Sequence, residues 1–599
     1  MILRVGIRRV AGALELNAYG EVVAPRTPPV VGLSRVPRPL TEWHVLNNCP
    51  VPSDERMGGH TQAGSLFEEG MGVRGQISGK QPVDPGAPKF TGRHADPVDH
   101  NELREDSGRP GVKIRRQYLA YTDHQACRRL DFQWRLHALT IMPQSQDMTT
   151  ANTPYVKRDL AHVWHPCTQM KDHEQELPLI PIRRGQGAWL EDFDGRRYLD
   201  CVSSWWVNLF GHCNPRINAA VRNQLEKLEH VILAGFTHEP VIELSEALVK
   251  VLPAGLTRCF YADNGSSAVE VAVKMSFHYW RNVGRPNKRR FITLSNSYHG
   301  ETLGALAVGN VELYKEIYQP LLMDVITVPS PDCFEREPGE SWAEHSRRKF
   351  ADMETALARH ADEAAAVIVE PLVQCAAGMR MYDPVYLQML REACDRYGVH
   401  LIADEIAVGF GRTGTLFASE QAGIRPDFVC LSKGLTSGYL PLSAVVTTED
   451  VYTAFYDEYV KLNAFLHSHS FTGNPLCCAA AVETLKIFAD DNVLARNRSL
   501  SEQMGALTRE LEDHPHVAEV RQRGMILAIE LVRDKASRQP YPWQERRGMR
   551  VYRHALERGL LLRPIGNVIY FMPPYVITPE EIELMVTVAR EGIELATCA

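Results

Sequence analysis

Three segments of the 599-residue chain set polar side chains against apolar neighbours, where they are costly unless they do something. In DFVCLSKG (427–434) a buried strand leads into Lys433 at its carboxyl end. A lysine so placed either reaches for solvent or reacts, and desolvation lowers an amine's pKa as a nucleophile requires. In HLIADEIAVGFGRTG (400–414), Leu401–Ala403 form a second buried strand, and Asp404 falls at its end. An acid there is unfavourable unless something pairs with it. In RCFYADNGSSAVEVAVKMSFHYW (258–280), Arg258–Ala262 reads as a strand and Asp263–Gly265 as a turn. A helix then starts near Ser266, with Ala268, Val271, Ala272, Met275 and Tyr279 at helical spacing. Gly265 lets the backbone approach a ligand, Ser266 offers a hydroxyl, and the free N–H groups with the helix dipole suit a phosphate. Taken alone, the same pattern is also that of an ordinary capped helix.

The three combine into one site. Asp404 and Lys433 lie 29 residues apart on successive strand ends, and Gly265–Ser266 precede them. A carboxyl at a pyridine nitrogen keeps that ring an electron acceptor, and a lysine amine holds its aldehyde, so the trio suits pyridoxal 5'-phosphate. NSYHGET (296–302) follows the strand Arg290–Leu294 and supplies Tyr298 as a stacking ring. The run Gly409-Phe410-Gly411-Arg412-Thr413-Gly414 matches the GxGxxG pattern of dinucleotide-binding oxidoreductases. That chemistry wants an acid at the end of the next strand, and this one ends at Lys433, whose charge is wrong for a ribose hydroxyl.

The elements that must position these residues begin near residue 180, where short β-rich runs alternate with amphipathic helical patterns. Alternation of that kind predicts an α/β fold with a largely parallel sheet, and strand ends of such sheets bind ligands. The large α/β domain is expected over 200–470, with a smaller α+β domain from 148–199 and 471–599. At 44% hydrophobic and 23% charged, the chain is ordinary globular protein. No apolar run reaches the roughly 18 residues of a membrane helix, and a net charge of −7 argues against nucleic acid. Thirteen cysteines without a CxxC pair predict reduced thiols and a cytoplasmic setting, and no ligand cluster joins His162 and His165 to make a metal site. Residues 1–147 differ: 19 Lys+Arg against 16 Asp+Glu, many Pro and Gly, little periodicity. They are expected to be disordered or an upstream extension of the true start, with Met148 opening the enzyme.

With these segments in place, the chain resembles the class III aminotransferases of fold type I over about residues 155–595. The shared motifs are VWHPCTQM (163–170), SSWWVNLFGH (203–212), SYHGET (297–302), EPLVQCAAGM (370–379), ADEIAVGFGRTG (403–414), SFTGNP (470–475) and RPIGNVIYFMPPY (563–575). Together they are far more specific than any one. Within the family the chain is similar to members that aminate 8-amino-7-oxononanoate to 7,8-diaminononanoate for biotin. The resemblance implies a ping-pong reaction in which Lys433 anchors the cofactor and carries the proton, and Asp404 meets the pyridine nitrogen. It implies phosphate at Gly265 and Ser266, Tyr298 over the ring, Trp205 along the substrate chain with Trp206 beside it, and Arg563 on the substrate carboxylate. It implies a homodimer whose Ser468, His469 and Ser470 reach the partner's site, Ser470 at the phosphate and Ser468 at the substrate. Cys167 stands where many relatives carry an aromatic residue, and Ser468 where Gly is usual. S-adenosylmethionine is the implied donor; lysine as donor, or an ω-amino-acid:pyruvate aminotransferase, is the alternative. Glu370 before Pro371 is read as a strand end outside the site.

Overall fold

The computed structural model describes residues 150–598, so the expectation for residues 1–147 lies outside the described part. After the helix Thr153–His162 comes a small sheet of β1 (Ile182–Gln186), β2 (Trp189–Asp192) and β3 (Arg197–Asp200), antiparallel throughout. Gly195 turns β2 into β3 with a φ of +82, a conformation that suits glycine. The outer edge of β3 pairs in parallel with Leu560–Leu561, so residues from both flanks share this sheet.

The central sheet has seven strands: β4 (Leu256–Ala262), β5 (Arg290–Leu294), β6 (Val325–Val328), β7 (Ala364–Val369), β8 (His400–Asp404), β9 (Phe428–Leu431) and β10 (Ser443–Thr448). Their spatial order is β4-β10-β9-β8-β7-β5-β6. From β9 to β6 every pairing is parallel, whereas β10 runs antiparallel to both β9 and β4. The strands are apolar on both faces, which only a sheet covered on both sides can bury. Ala366, Ile368, Ile402, Phe428 and Cys430 pack against helix α1 (Gly265–Asn282). The alternate residues Val367, Val369 and Leu401 pack against α2 (Trp342–His360) and α3 (Pro384–Tyr397). Each fully buried aliphatic side chain contributes about 1.5–3 kcal/mol.

A third, antiparallel sheet holds β11 (Val517–Arg523), β12 (Ile526–Asp534) and β13 (Val568–Phe571), with β12 between the other two. The fold is thus α/β with a mainly parallel central sheet, as the alternation predicts. Boundaries differ in detail. β9 ends at Leu431, so Ser432 separates the strand from Lys433. The glycines of 409–414 open no helix: Gly411 and Gly414 turn the chain at φ +88 and +105, and Arg412 is buried between them. Among the described residues no helix is long and apolar enough to cross a membrane.

Candidate active site

The carboxyl ends of the parallel strands surround a cavity of about 570 Å³. Parallel alignment explains why: β8 and β9 run side by side with Asp404 opposite Cys430, so residues just past both ends face the same space. Of the residues predicted from sequence, Trp205, Gly265, Ser266, Tyr298, Asp404 and Lys433 line this cavity. Arg563, Ser468, His469 and Ser470 do not line it in the single chain.

Lys433 follows β9 with φ +40, and its Nζ lies 5.2 Å from the centre of the Trp206 ring. Burial pushes its amine below the ordinary lysine range, against the opposing pull of Asp404, Cys375 and Glu370. Asp404 is buried and held from two sides: Oδ2 meets His299 Nδ1 at 2.7 Å, and Oδ1 accepts the Ile406 N–H at 3.1 Å. The His299 ring is itself buried, with its Nε2 unpartnered among the described residues.

At the other end of the cavity, Asn264 caps α1 by accepting the Ser267 N–H, so the first turn's N–H groups open into the cavity at Gly265 and Ser266. Space there is tight. A Cβ on Gly265 would meet Ile406 Cγ2 at 2.9 Å, and one on Gly300 (φ +121) would meet the Ser266 side chain at 2.5 Å. Ser266 Oγ accepts the Thr302 N–H at 2.9 Å, and Thr302 Oγ1 donates to Glu270 Oε1 at 2.6 Å. Backbone N–H groups at the head of this 18-residue helix favour an anion there.

Tyr298 sits between these two ends. Its N–H donates to Glu370 Oε2 at 2.9 Å and its hydroxyl to Glu301 Oε1 at 3.0 Å. Glu370 lines the cavity, contrary to its reading as a bare strand end. Burial and the nearby Asp404 push its carboxyl up to about 8. His299, Glu301 and Cys167 also line the wall. Their neighbours in SYHGET and EPLVQ were legible, but nothing in spacing alone distinguishes a cavity-facing acid from a strand-end one.

The remaining wall is a turn of unusual hand. Ser203, Ser204, Trp205 and Trp206 take φ of 52, 45, 74 and 71 in succession. Left-handed conformations cost L-residues roughly 1–2 kcal/mol each, so the turn persists only because its surroundings hold it. Trp206 points inward, its Nε1 donating to Tyr570 OH at 3.0 Å. Trp205 is 46% exposed, and the Arg563 guanidinium lies 5.3 Å from its ring centre. Arg563 has no carboxylate partner among the described residues, which leaves it available to a ligand. His469 is tied to its own chain: Nδ1 meets Asp263 Oδ2 at 3.0 Å and Nε2 meets His467 Nε2 at 3.1 Å.

The chain is similar to known proteins over most of the described residues. The family model described as Aminotransferase class-III matches residues 170–591. The adenosylmethionine-8-amino-7-oxononanoate aminotransferase of Geobacter sulfurreducens is 44% identical over 440 residues, covering 73% of this chain and 97% of its own. That of Helicobacter pylori is 46% identical over 431 residues, covering 71% and 94%. The crystal structure of the adenosylmethionine-8-amino-7-oxononanoate aminotransferase from Methanocaldococcus jannaschii superposes with a TM-score of 0.70 at 38% identity, over 74% of this chain and 99% of that one. An omega transaminase from Pseudomonas jessenii in complex with PMP gives 0.71 at 30% identity, over 74% and 98%.

Proposed function

The chain belongs to the class III aminotransferases, and from that premise we propose that it aminates 8-amino-7-oxononanoate to 7,8-diaminononanoate, with S-adenosylmethionine as donor and pyridoxal 5'-phosphate as cofactor. The observation that carries this reading is the convergence of Lys433, Asp404 and the Gly265–Ser266 cup on one cavity. Relatives named adenosylmethionine-8-amino-7-oxononanoate aminotransferase reach 44% and 46% identity, against 30% for the omega transaminase, which favours the biotin-pathway substrate over an ω-amino acid.

The residues present fit the cofactor. An amine with lowered basicity, a buried carboxyl held by His299, and a cup that a Cβ would fill are the donor set its aldehyde, ring nitrogen and phosphate need. When bound, pyridoxal phosphate supplies an electron-accepting ring that stabilises negative charge on the carbon losing its proton. Lys433 Nζ anchors the cofactor and then carries that proton as base and acid, a role its lowered pKa suits. Asp404 keeps the ring nitrogen protonated, Gly265 and Ser266 bind phosphate, and Tyr298 covers the ring. Trp205 and Arg563 take the chain and carboxylate of the keto substrate.

The same reading makes the protein a cytoplasmic homodimer in which Ser468, His469 and Ser470 complete the cavity of the partner subunit. Support comes from the segment around them, where Tyr459, Leu466 and Phe471 stand 90%, 86% and 61% exposed on the single chain, an apolar surface that wants a cover. The large domain is taken as 200–470 and the smaller one as its two flanks, which the β3 pairing with Leu560–Leu561 supports. The test is product formation from 8-amino-7-oxononanoate with S-adenosylmethionine and lysine supplied separately. Turnover with neither, but with pyruvate and an ω-amino acid, would overturn it.

A further inference from the structure

The left-handed turn Ser203–Trp206 lies between the substrate cavity and a buried polar cluster that no catalytic step uses. Four successive residues with side chains hold positive φ where glycine would be the undemanding choice, so contacts must hold them there. The ends of the turn are anchored by Ser203 Oγ, which donates to Met572 O at 2.7 Å, and by Arg412 Nη2, which donates to Trp206 O and Asn208 O at 3.3 and 3.1 Å. Backbone bonds span the turn, Trp206 N–H to Val202 O at 2.9 Å and Val207 N–H to Ser203 O at 3.0 Å, and the side chain that grips its middle is Asp200. This fully buried last residue of β3 accepts the Val202 and Ser204 N–H groups on Oδ1 at 3.3 and 2.9 Å. Its Oδ2 accepts the Ser204 hydroxyl at 2.6 Å and meets His212 Nε2 at 3.1 Å. His212 is in turn fixed by Asn208 Nδ2, 3.1 Å from its Nδ1.

We propose that Asp200 is a positioning residue for the keto substrate: by clamping the left-handed turn Ser203–Trp206, it aims the Trp205 indole into the cavity beside Arg563. The proposal rests on the reading that Trp205 and Arg563 hold that substrate. Asp200 does not itself line the cavity, so it acts only through the turn. If the clamp weakens, Trp206 stays pinned by Tyr570, while Trp205, half-exposed and without a side-chain hydrogen bond among the described residues, is the side chain that can swing. Glu370 and Asp404 make no bond to the cluster among the described residues, so the donor half of the reaction should not feel the change.

The experiment compares Asp200→Asn, Ser204→Ala, Trp205→Ala and the double variant Asp200→Asn/Ser204→Gly as cofactor-loaded enzymes. Asp200→Asn is expected to raise KM for 8-amino-7-oxononanoate about 3- to 30-fold, the effect of one or two weakened hydrogen bonds. Its single-turnover rate with the donor and its visible cofactor band should stay close to those of the unchanged enzyme. Ser204→Gly in that background should recover part of the KM, because glycine takes positive φ without steric cost. A merely structural role would not give that recovery. If Asp200→Asn leaves the KM unmoved, or lowers donor rate, keto-substrate KM performance and thermal midpoint together with no glycine recovery, the clamp is overturned. If Trp205→Ala leaves the KM unmoved, the reading of the keto site fails and the proposal falls with it. A raised KM in Trp205→Ala beside an unmoved one in Asp200→Asn overturns the clamp alone. Should Asp200→Asn not fold, Ser204→Ala, which deletes only the hydroxyl bond, carries the same comparison.

Discussion

His299 Nδ1 stands 2.7 Å from Asp404 Oδ2, and both side chains are buried at the floor of the cavity. With the Ile406 N–H on the other oxygen, Asp404 is held in one orientation before any ligand arrives. His299→Phe keeps the volume and removes the bond. Losing one buried hydrogen bond to a charged group costs about 1.5–3 kcal/mol, so affinity of the cofactor-free enzyme for pyridoxal phosphate should fall on the order of 10- to 150-fold. Titration by absorbance measures it directly. Unchanged affinity would mean that the Ile406 N–H suffices.

Lys433→Ala should abolish turnover and the visible band of the lysine-bound cofactor while leaving the circular dichroism spectrum intact. Among the described residues Lys433 is the one lysine lining the cavity, and its pKa is lowered by burial. Near-normal turnover in the variant would end the aminotransferase assignment of this site.

Much of this was legible in the sequence because parallel α/β sheets convert strand ends into one place. Asp404 and Lys433 could be read as neighbours since both follow apolar runs, and β8 and β9 pair in parallel. The cup was legible because Gly265–Ser266 head a helix of plain periodicity. What escaped were residues whose role depends on the third dimension. Glu370 ends a strand in sequence like many structural acids, and only the fold turns it into the cavity beneath Tyr298. The hand of the Ser203–Trp206 turn was equally hidden, since Ser and Trp carry no preference for positive φ and distant groups impose it. Arg563 and Ser468–Ser470 remain beyond the single-chain cavity, the first beside Trp205 and the others on an exposed apolar segment.

A chain starting at Met148 should retain full activity and cofactor affinity. All the cavity-lining residues lie downstream, and the Geobacter sulfurreducens relative is covered over 97% of its length by 73% of this chain. Steady-state rates of the long and short forms, measured side by side, check this. Loss of cofactor binding on truncation would show that residues 1–147 support the site.

Acid should destabilise the fold through His400. Burial pushes this imidazole down to about 4, where it meets Ser276 Oγ at 2.9 Å and packs on Trp280. The unfolded chain takes up the proton near pH 6.5, whereas the folded one resists until about 4. Stability from the neutral ring is therefore complete above 6.5 and lost as pH falls towards 4, by at most about 3 kcal/mol. His400→Gln should be the less stable protein at pH 7, with the gap narrowing in urea unfolding at pH 5.5 and 4. A gap constant with pH would place the acid sensitivity elsewhere.

Arg563 should govern the keto substrate and leave the donor's chemistry alone. Its guanidinium lies over the Trp205 ring, 5.3 Å from the ring centre, and has no carboxylate partner among the described residues. With no carboxylate bound to it among the described residues, the guanidinium can offer a two-pronged contact to a carboxylate. A distal carboxylate on a long chain needs such an anchor at the far end to set its register over Lys433. A charge-assisted pair of this kind is worth about 1.5–3 kcal/mol, or on the order of 10- to 150-fold. Arg563→Ala should raise KM for 8-amino-7-oxononanoate by about that factor with the cofactor's spectrum unchanged. Arg563→Lys should recover only part of the loss, because a point charge does not bond in two places. Single-turnover rates with the donor, in the absence of keto substrate, should change much less. A variant that loses the donor half-reaction and keeps its keto-substrate KM would show that Arg563 reads the donor, and the assignment of the two ends of the cavity would reverse.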